Sequence, residues 1–113
     1  MLPTILTIVL GIAFLAAGVP KLLGAAGPTE QVTAFGYSAG FARLVGLGET
    51  AAAAALGWGL ADERGIILGC SLIIAIMIGA LYSHLVKGKD PVAKWAPAAA
   101  MLILAAVLLG MTL

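Results

Sequence analysis

Hydrophobic residues follow one another almost without interruption along this chain, and the polar residues gather in three breaks. Four apolar runs reach the roughly 20 residues that a helix needs to cross a bilayer core; they cover about residues 3–23, 41–61, 65–86 and 95–113. None of the runs alternates in polarity as the strands of a membrane barrel do. The pattern predicts an all-α membrane protein, an antiparallel bundle of four transmembrane helices in which residues 1–113 form a single integral membrane domain.

The three breaks predict different connections. Asp62-Glu63-Arg64 is a tight polar turn, which joins the second and third spans as a hairpin. In the last break, Asp90 followed by Pro91 is typical of an N-cap and the first helical position. The long first break contains a short stretch, residues 28–35, that predicts an interfacial helix between helices 1 and 2; a structured loop is the alternative.

Composition agrees with a membrane location and excludes other classes. Hydrophobic residues make up 63% of the chain and charged residues 10%, whereas soluble domains contain about 25% charged residues. A net charge of +1 gives no basic surface for a nucleic acid. A single cysteine excludes an internal disulfide and a cysteine-based zinc site, and no metal-binding motif is present.

Positive charges are distributed unequally between the two ends of the predicted bundle. One end carries five cations and the other carries only Arg64; the five are Lys21, Arg43, Lys87, Lys89 and Lys94. The positive-inside rule therefore predicts that loops 24–40 and 87–94 are cytoplasmic and that both termini lie outside.

Ionisable residues inside the spans give the strongest functional signal. Tracing four antiparallel spans places Lys21, Arg43, Glu49 and His84 in the same half of the membrane. Glu49 lies about 12 Å into the second span, where a charge costs on the order of 2.5–3.5 kcal/mol. We expect Glu49 to be neutral or paired, with Lys21 the best partner and Arg43 the second.

The candidate ligand-binding residues are Glu49, Lys21, Arg43, His84 and Tyr82. His84 and Tyr82 are two residues apart on one helix, so they point in nearly opposite directions and cannot both face one cavity. Each is also typical of a side chain that anchors a helix at the interface. Glu49 and Lys21 either form a buried pair that sets helix register or form a binding or proton-handling site.

Several short motifs resemble the DoxX-like family of small bacterial membrane proteins. They are Gly18-x-x-Lys21-Leu22, Phe35-Gly36-Tyr37, Gly46-x-x-Glu49 and Gly79-Ala80-x-x-x-His84, spread over about the first 86 residues. The resemblance implies a four-helix bundle in the bacterial inner membrane. It also implies a quinone- or redox-linked role, and it puts Lys21 and Glu49 at the family's characteristic polar positions.

Four functions remain open at this point. The first is a site for a lipophilic ligand such as a quinone, in or beside a redox enzyme complex. The second is an oligomeric small-molecule or proton-coupled transporter, the third a structural membrane subunit, and the fourth a membrane-embedded isomerase-type enzyme. No pattern supports a haem, although His84 could serve as an axial ligand. Thin helices rich in small residues favour a homo-oligomer.

Overall fold

The computed structural model describes all 113 residues, and every regular element in it is helical. Helix α1 spans Leu2–Leu22, α2 spans Ala26–Thr33, α3 spans Ala39–Gly59, α4 spans Glu63–Tyr82 and α5 spans Val92–Thr112. A π-helical turn, Ser83–Lys87, continues α4. The prediction of an all-α fold is confirmed, and the short helix predicted between the first two spans is α2.

Three of the helices are long and apolar enough to cross a membrane: α1, α4 together with its π-helical turn, and α5. Helix α3 has the same length as α1 and α5, but it combines Arg43 and Glu49 with many glycine and alanine residues and does not reach that hydropathy. The prediction of four transmembrane helices is therefore not confirmed, whereas membrane-spanning helices and association with a lipid bilayer are.

The four long helices pack in the cyclic order α1, α3, α4, α5, and the contact between α5 and α1 is the least extensive of the four. Side chains from all four meet in one core; its fully buried large members are Leu10, Leu56, Ile73 and Leu108. Large apolar side chains such as Ile5 and Ile12 remain exposed on the outside of α1. In a bilayer such side chains face the lipid, so the exposed apolar surface is expected for this class of protein.

Helices α1 and α3 approach each other through glycines. A Cβ atom on Gly18 would lie 2.7 Å from the backbone nitrogen of Thr50, and one on Gly46 would lie 2.7 Å from the carbonyl oxygen of Gly18. Ordinary Cβ contacts begin near 3.4 Å, so only glycine permits this separation. Small residues at helix interfaces serve this purpose in membrane bundles.

Helix α2 is bounded on both sides by glycines in the left-handed region of backbone conformation. Gly24 has φ +77° and Gly36 has φ +94°, a conformation that other residues rarely adopt. These two turns lay α2 across the end of the bundle where α1 ends and α3 begins, and none of its residues is buried.

The start of α5 differs from the prediction. Pro91, and not Asp90, is the N-cap residue, and no side chain caps the helix. The Asp90 carboxylate bonds the His84 ring instead of capping α5. By contrast, Asp62 caps α4 as a polar turn residue should, accepting a hydrogen bond from the backbone nitrogen of Arg64 at 3.0 Å.

Candidate functional site

A buried ion pair joins α1 and α3. Lys21 Nζ donates to Glu49 Oε1 at 2.6 Å, and Glu49 is only 2% exposed. This is the only hydrogen bond that the carboxylate makes, so the second oxygen, Oε2, has no protein partner. Lys21, with three donors on its ammonium group, uses one of them here. The pair therefore keeps both an acceptor and donors that protein atoms do not satisfy.

The glycine contacts between α1 and α3 explain where the pair forms. Lys21 follows Gly18 by three residues and Glu49 follows Gly46 by three residues, so each ionisable side chain lies about one turn beyond a glycine of the contact. Because the two backbones approach closely at the glycines, the side chains that flank the contact lie within hydrogen-bonding distance of each other. The structure thus pairs Glu49 with Lys21 and not with Arg43.

The pair lies on a cleft of about 1260 Å³, which we call the polar cleft. It occupies the end of the bundle where α1 and α4 finish and α3 and α5 begin, beneath α2. Apolar side chains of several helices form much of its wall; they include Phe35, Phe41, Val45, Ile76 and Met77. Polar side chains besides the pair are Gln31, Glu30, Tyr37, Ser83, His84, Asp90 and Lys94.

A hydrogen-bonded chain closes one side of the polar cleft. The hydroxyls of Tyr37 and Ser83 lie 3.0 Å apart, and Ser83 donates to the carbonyl of Gly79 at 2.9 Å. Since a serine hydroxyl has one hydrogen, Tyr37 must be the donor to Ser83. The ammonium of Lys87 lies 4.4 Å from the centre of the Tyr37 ring, a cation–π contact. These bonds fix the segment after α2 to the end of α4.

A second polar pair lies on the same cleft. His84 Nδ1 and Asp90 Oδ2 are 2.7 Å apart, and both side chains are largely covered. Phe35 meets the His84 ring edge-on at 5.0 Å between centroids. His84 belongs to the π-helical turn, in which the backbone nitrogen of Gly88 bonds the carbonyl of Ser83 at 2.8 Å. Single π-helical turns of this kind occur frequently at functional sites.

Three of the five predicted site residues line the polar cleft and two do not. Lys21, Glu49 and His84 are part of its wall. Arg43 is exposed and its guanidinium lies against Gly24, outside the cleft. Tyr82 is 52% exposed and also lies outside it, as its two-residue offset from His84 requires.

Sequence reasoning did not assign Tyr37, Ser83 or Asp90 to the site. Tyr37 belongs to the Phe35-Gly36-Tyr37 motif, which was a usable signal, but its contact with Ser83 spans 46 residues of sequence. Asp90 precedes Pro91, a pattern typical of an N-cap. Its bond to His84 was therefore not predicted.

The charged groups on the polar cleft are mostly paired. Lys21 is paired with Glu49 and His84 with Asp90, and the cleft is also lined by Glu30 and Lys94, one residue of each sign. No cluster of three His, Cys, Asp or Glu side chains that could hold a metal ion is present. The arrangement offers hydrogen bonds at several points inside apolar walls, and it has no excess of positive charge when the His84 ring is neutral.

Comparison with known sequences and structures gives one match. The sequence model of the DoxX-like family matches residues 5–108, which is nearly the whole chain. No curated protein and no solved structure matches the chain.

Proposed function

The chain belongs to the DoxX-like family of membrane proteins, and from this premise we propose that its polar cleft binds a lipophilic ligand with a neutral polar head, such as a quinone. The observation that carries the proposal is the Lys21–Glu49 pair, buried on the cleft with Glu49 Oε2 unpartnered. Oε2 makes no hydrogen bond within the protein and retains some exposure, so a ligand hydroxyl in the cleft can reach it and donate a hydrogen bond to it.

The shape and charge of the cleft support a neutral ligand of this class. Ligand sites in proteins are typically apolar clefts with a few well-placed polar groups. Here Lys21 supplies free donors and Glu49 a free acceptor, so carbonyl and hydroxyl groups both find partners. The charges on the cleft favour a neutral head over a phosphate or a carboxylate, because its two ammonium groups do not outnumber its three carboxylates, Glu30, Glu49 and Asp90.

We also propose that α3 is a fourth transmembrane helix. Its 21 residues cover about 31 Å at 1.5 Å per residue, close to the thickness of the hydrocarbon core. The ion pair with Lys21 masks the charge of Glu49, and Arg43 is near the start of the helix, where its side chain can extend to the interface. The cation-rich end then faces the cytoplasm of a bacterial inner membrane, with both termini outside and α2 at the interface.

Partners of two kinds fit this picture. Exposed small residues such as Ala51 and Ala54 on α3 favour a homo-oligomer, since close packing drives helix association in lipid. The second kind of partner is a redox enzyme complex, which would exchange electrons with a quinone bound in the polar cleft.

The proposal is tested by native mass spectrometry of the protein purified in mild detergent. We expect species heavier than multiples of 11.3 kDa by a constant small-molecule mass, and we expect added decylubiquinone to replace that molecule. Glu49→Gln should lose the extra mass, whereas Glu63→Gln, the same change at an exposed position at the other end of the bundle, should keep it. Circular dichroism checks that both variants stay helical.

Other outcomes would favour the other functions. Bare multiples of the chain mass and no uptake of decylubiquinone would contradict ligand binding and favour a structural subunit. Proton-coupled uptake of a solute into proteoliposomes that disappears with Glu49→Gln would favour a transporter.

A further inference from the structure

The second polar pair on the cleft, His84 with Asp90, is held by unusual backbone conformations between the two residues. Lys89 is the one non-glycine residue with a left-handed backbone, at φ +49°. The backbone nitrogen of Asp90 donates to the carbonyl of His84 at 2.8 Å. Together with the π-helical turn, these features place the Asp90 carboxylate beside the ring of His84. Left-handed backbone at a non-glycine residue costs free energy and is concentrated at functional sites.

The chemistry of the pair fixes the tautomer of His84. An ionised carboxylate can only accept hydrogen bonds, so Nδ1 must carry a proton at 2.7 Å from Asp90 Oδ2. In the neutral ring Nε2 is then unprotonated, and it makes no hydrogen bond within the protein. Since His84 lines the polar cleft, its ring brings an unpartnered polar atom to that region.

We infer that Asp90 is a positioning residue that orients His84 as a second ligand contact of the polar cleft. The inference rests on the proposed function and extends it, because the site then recognises a ligand at two separate points. Lys21 and Glu49 bind one polar group of the ligand and His84 Nε2 accepts a hydrogen bond from another. The ligand class is therefore a lipophilic ring with two polar substituents, at least one of which is a hydroxyl, as in a quinol.

The chain offers a clean spectroscopic test, because His84 is its only histidine. Protein labelled with ¹⁵N in histidine gives one pair of ring nitrogen signals. We record them at alkaline pH, so that the ring is neutral. We expect a single tautomer with the proton on Nδ1 in the wild type and in the control Glu63→Ala. Asp90→Ala should give a mixture with the proton largely on Nε2.

Binding is measured in the same samples with the quinol form of decylubiquinone as the probe. We expect the probe to shift the Nε2 signal of the wild type and of Glu63→Ala. We expect roughly tenfold weaker binding to Asp90→Ala, the loss typical of one well-oriented hydrogen bond. Asp90→Asn keeps an oxygen acceptor of similar size and should recover part of the tautomer preference and of the affinity.

The outcomes separate this inference from the proposed function. If Glu49→Gln abolishes probe binding while Asp90→Ala binds like the wild type, the proposed function stands and the role of Asp90 is refuted. An unchanged tautomer in Asp90→Ala also refutes it. If the wild type does not bind the probe at all, the proposed function fails and the ligand role of His84 fails with it.

Discussion

Replacing Gly46 by alanine tests whether the glycine contact between α1 and α3 holds the bundle together. The added Cβ would lie 2.7 Å from both the carbonyl oxygen of Gly18 and the Cβ of Lys21, and closer still to the backbone nitrogen of Leu22. Two of these three atoms are backbone, so no side-chain rotation relieves the overlap. The Leu22 nitrogen is the closest of the three atoms, so reaching an ordinary contact of 3.4 Å requires the helices to separate by about 1 Å.

The expected cost is that of overpacking a tight interface, about 1–3 kcal/mol. Alanine also has the higher helix propensity, by about 1 kcal/mol, which partly masks this cost. Gly57→Ala serves as the matched control in the same helix, because a Cβ there meets no atom within 4 Å. The difference between the two variants removes the propensity contribution and should show Gly46→Ala to be the less stable by about 1–3 kcal/mol.

The assay is reversible unfolding in mixed micelles, followed by circular dichroism. Both variants should retain the helical signal of the wild type before the transition, with a lower midpoint for Gly46→Ala only. Equal midpoints for Gly46→Ala and Gly57→Ala would refute the reasoning, because they would mean that α1 and α3 are free to adjust their separation.

Three further predictions follow from individual contacts. Lys21→Met and Glu49→Gln should each lower stability, by up to about 3–5 kcal/mol as for other broken buried pairs, while the double variant should recover most of the loss, which a double-mutant cycle of unfolding free energies measures. Tyr37→Phe removes a hydrogen bond worth about 1 kcal/mol, so amide exchange in the segment after α2 should become faster, with the rates in α5 unchanged. Hydrogen bonds from Arg64 lower the pKa of the Asp62 carboxyl below 3.8; because the folded-state pKa is the lower one, the stabilisation is present above pH 3.8 and is lost as the pH falls through the lowered value. Asp62→Asn, which keeps the helix cap, should therefore have a slightly lower unfolding midpoint than the wild type at neutral pH and the same midpoint at strongly acidic pH.

The long-range placement of the polar residues could be predicted because few arrangements are available to helices in a membrane. An up-and-down trace of the apolar runs was enough to bring Lys21, Glu49 and His84 to one end. The resemblance to the DoxX-like family is likewise confirmed.

Local details of the site were not predictable because they depend on backbone that departs from the regular helix. No sequence pattern predicts the π-helical turn at Ser83–Lys87 or the left-handed backbone of Lys89. They place the Asp90 carboxylate beside the His84 ring, so Asp90 does not cap α5 although its position before Pro91 is typical of an N-cap. Arg43 was assigned to the site from its position in the span alone, and the left-handed turn at Gly24 gives its side chain a place outside the cleft.

Helix α3 has a lower hydropathy than the other long helices because it contains Arg43, Glu49 and several glycines. A sum over residues counts the charge of Glu49 in full, since it takes no account of the ion pair with Lys21.

The central claim is that Lys21 and Glu49 form a ligand site and not only a packing contact. The most direct test is an equilibrium titration of decylubiquinone into the protein in lipid nanodiscs. The test compares the wild type with the double variant Lys21→Met/Glu49→Gln, which removes both charges without leaving either one unpaired. We predict saturable binding to the wild type and to Glu63→Gln, and at least tenfold weaker binding to the double variant, since two hydrogen-bonding groups are lost. Equal affinity of the folded double variant and the wild type would contradict the account and reduce the pair to a determinant of helix packing.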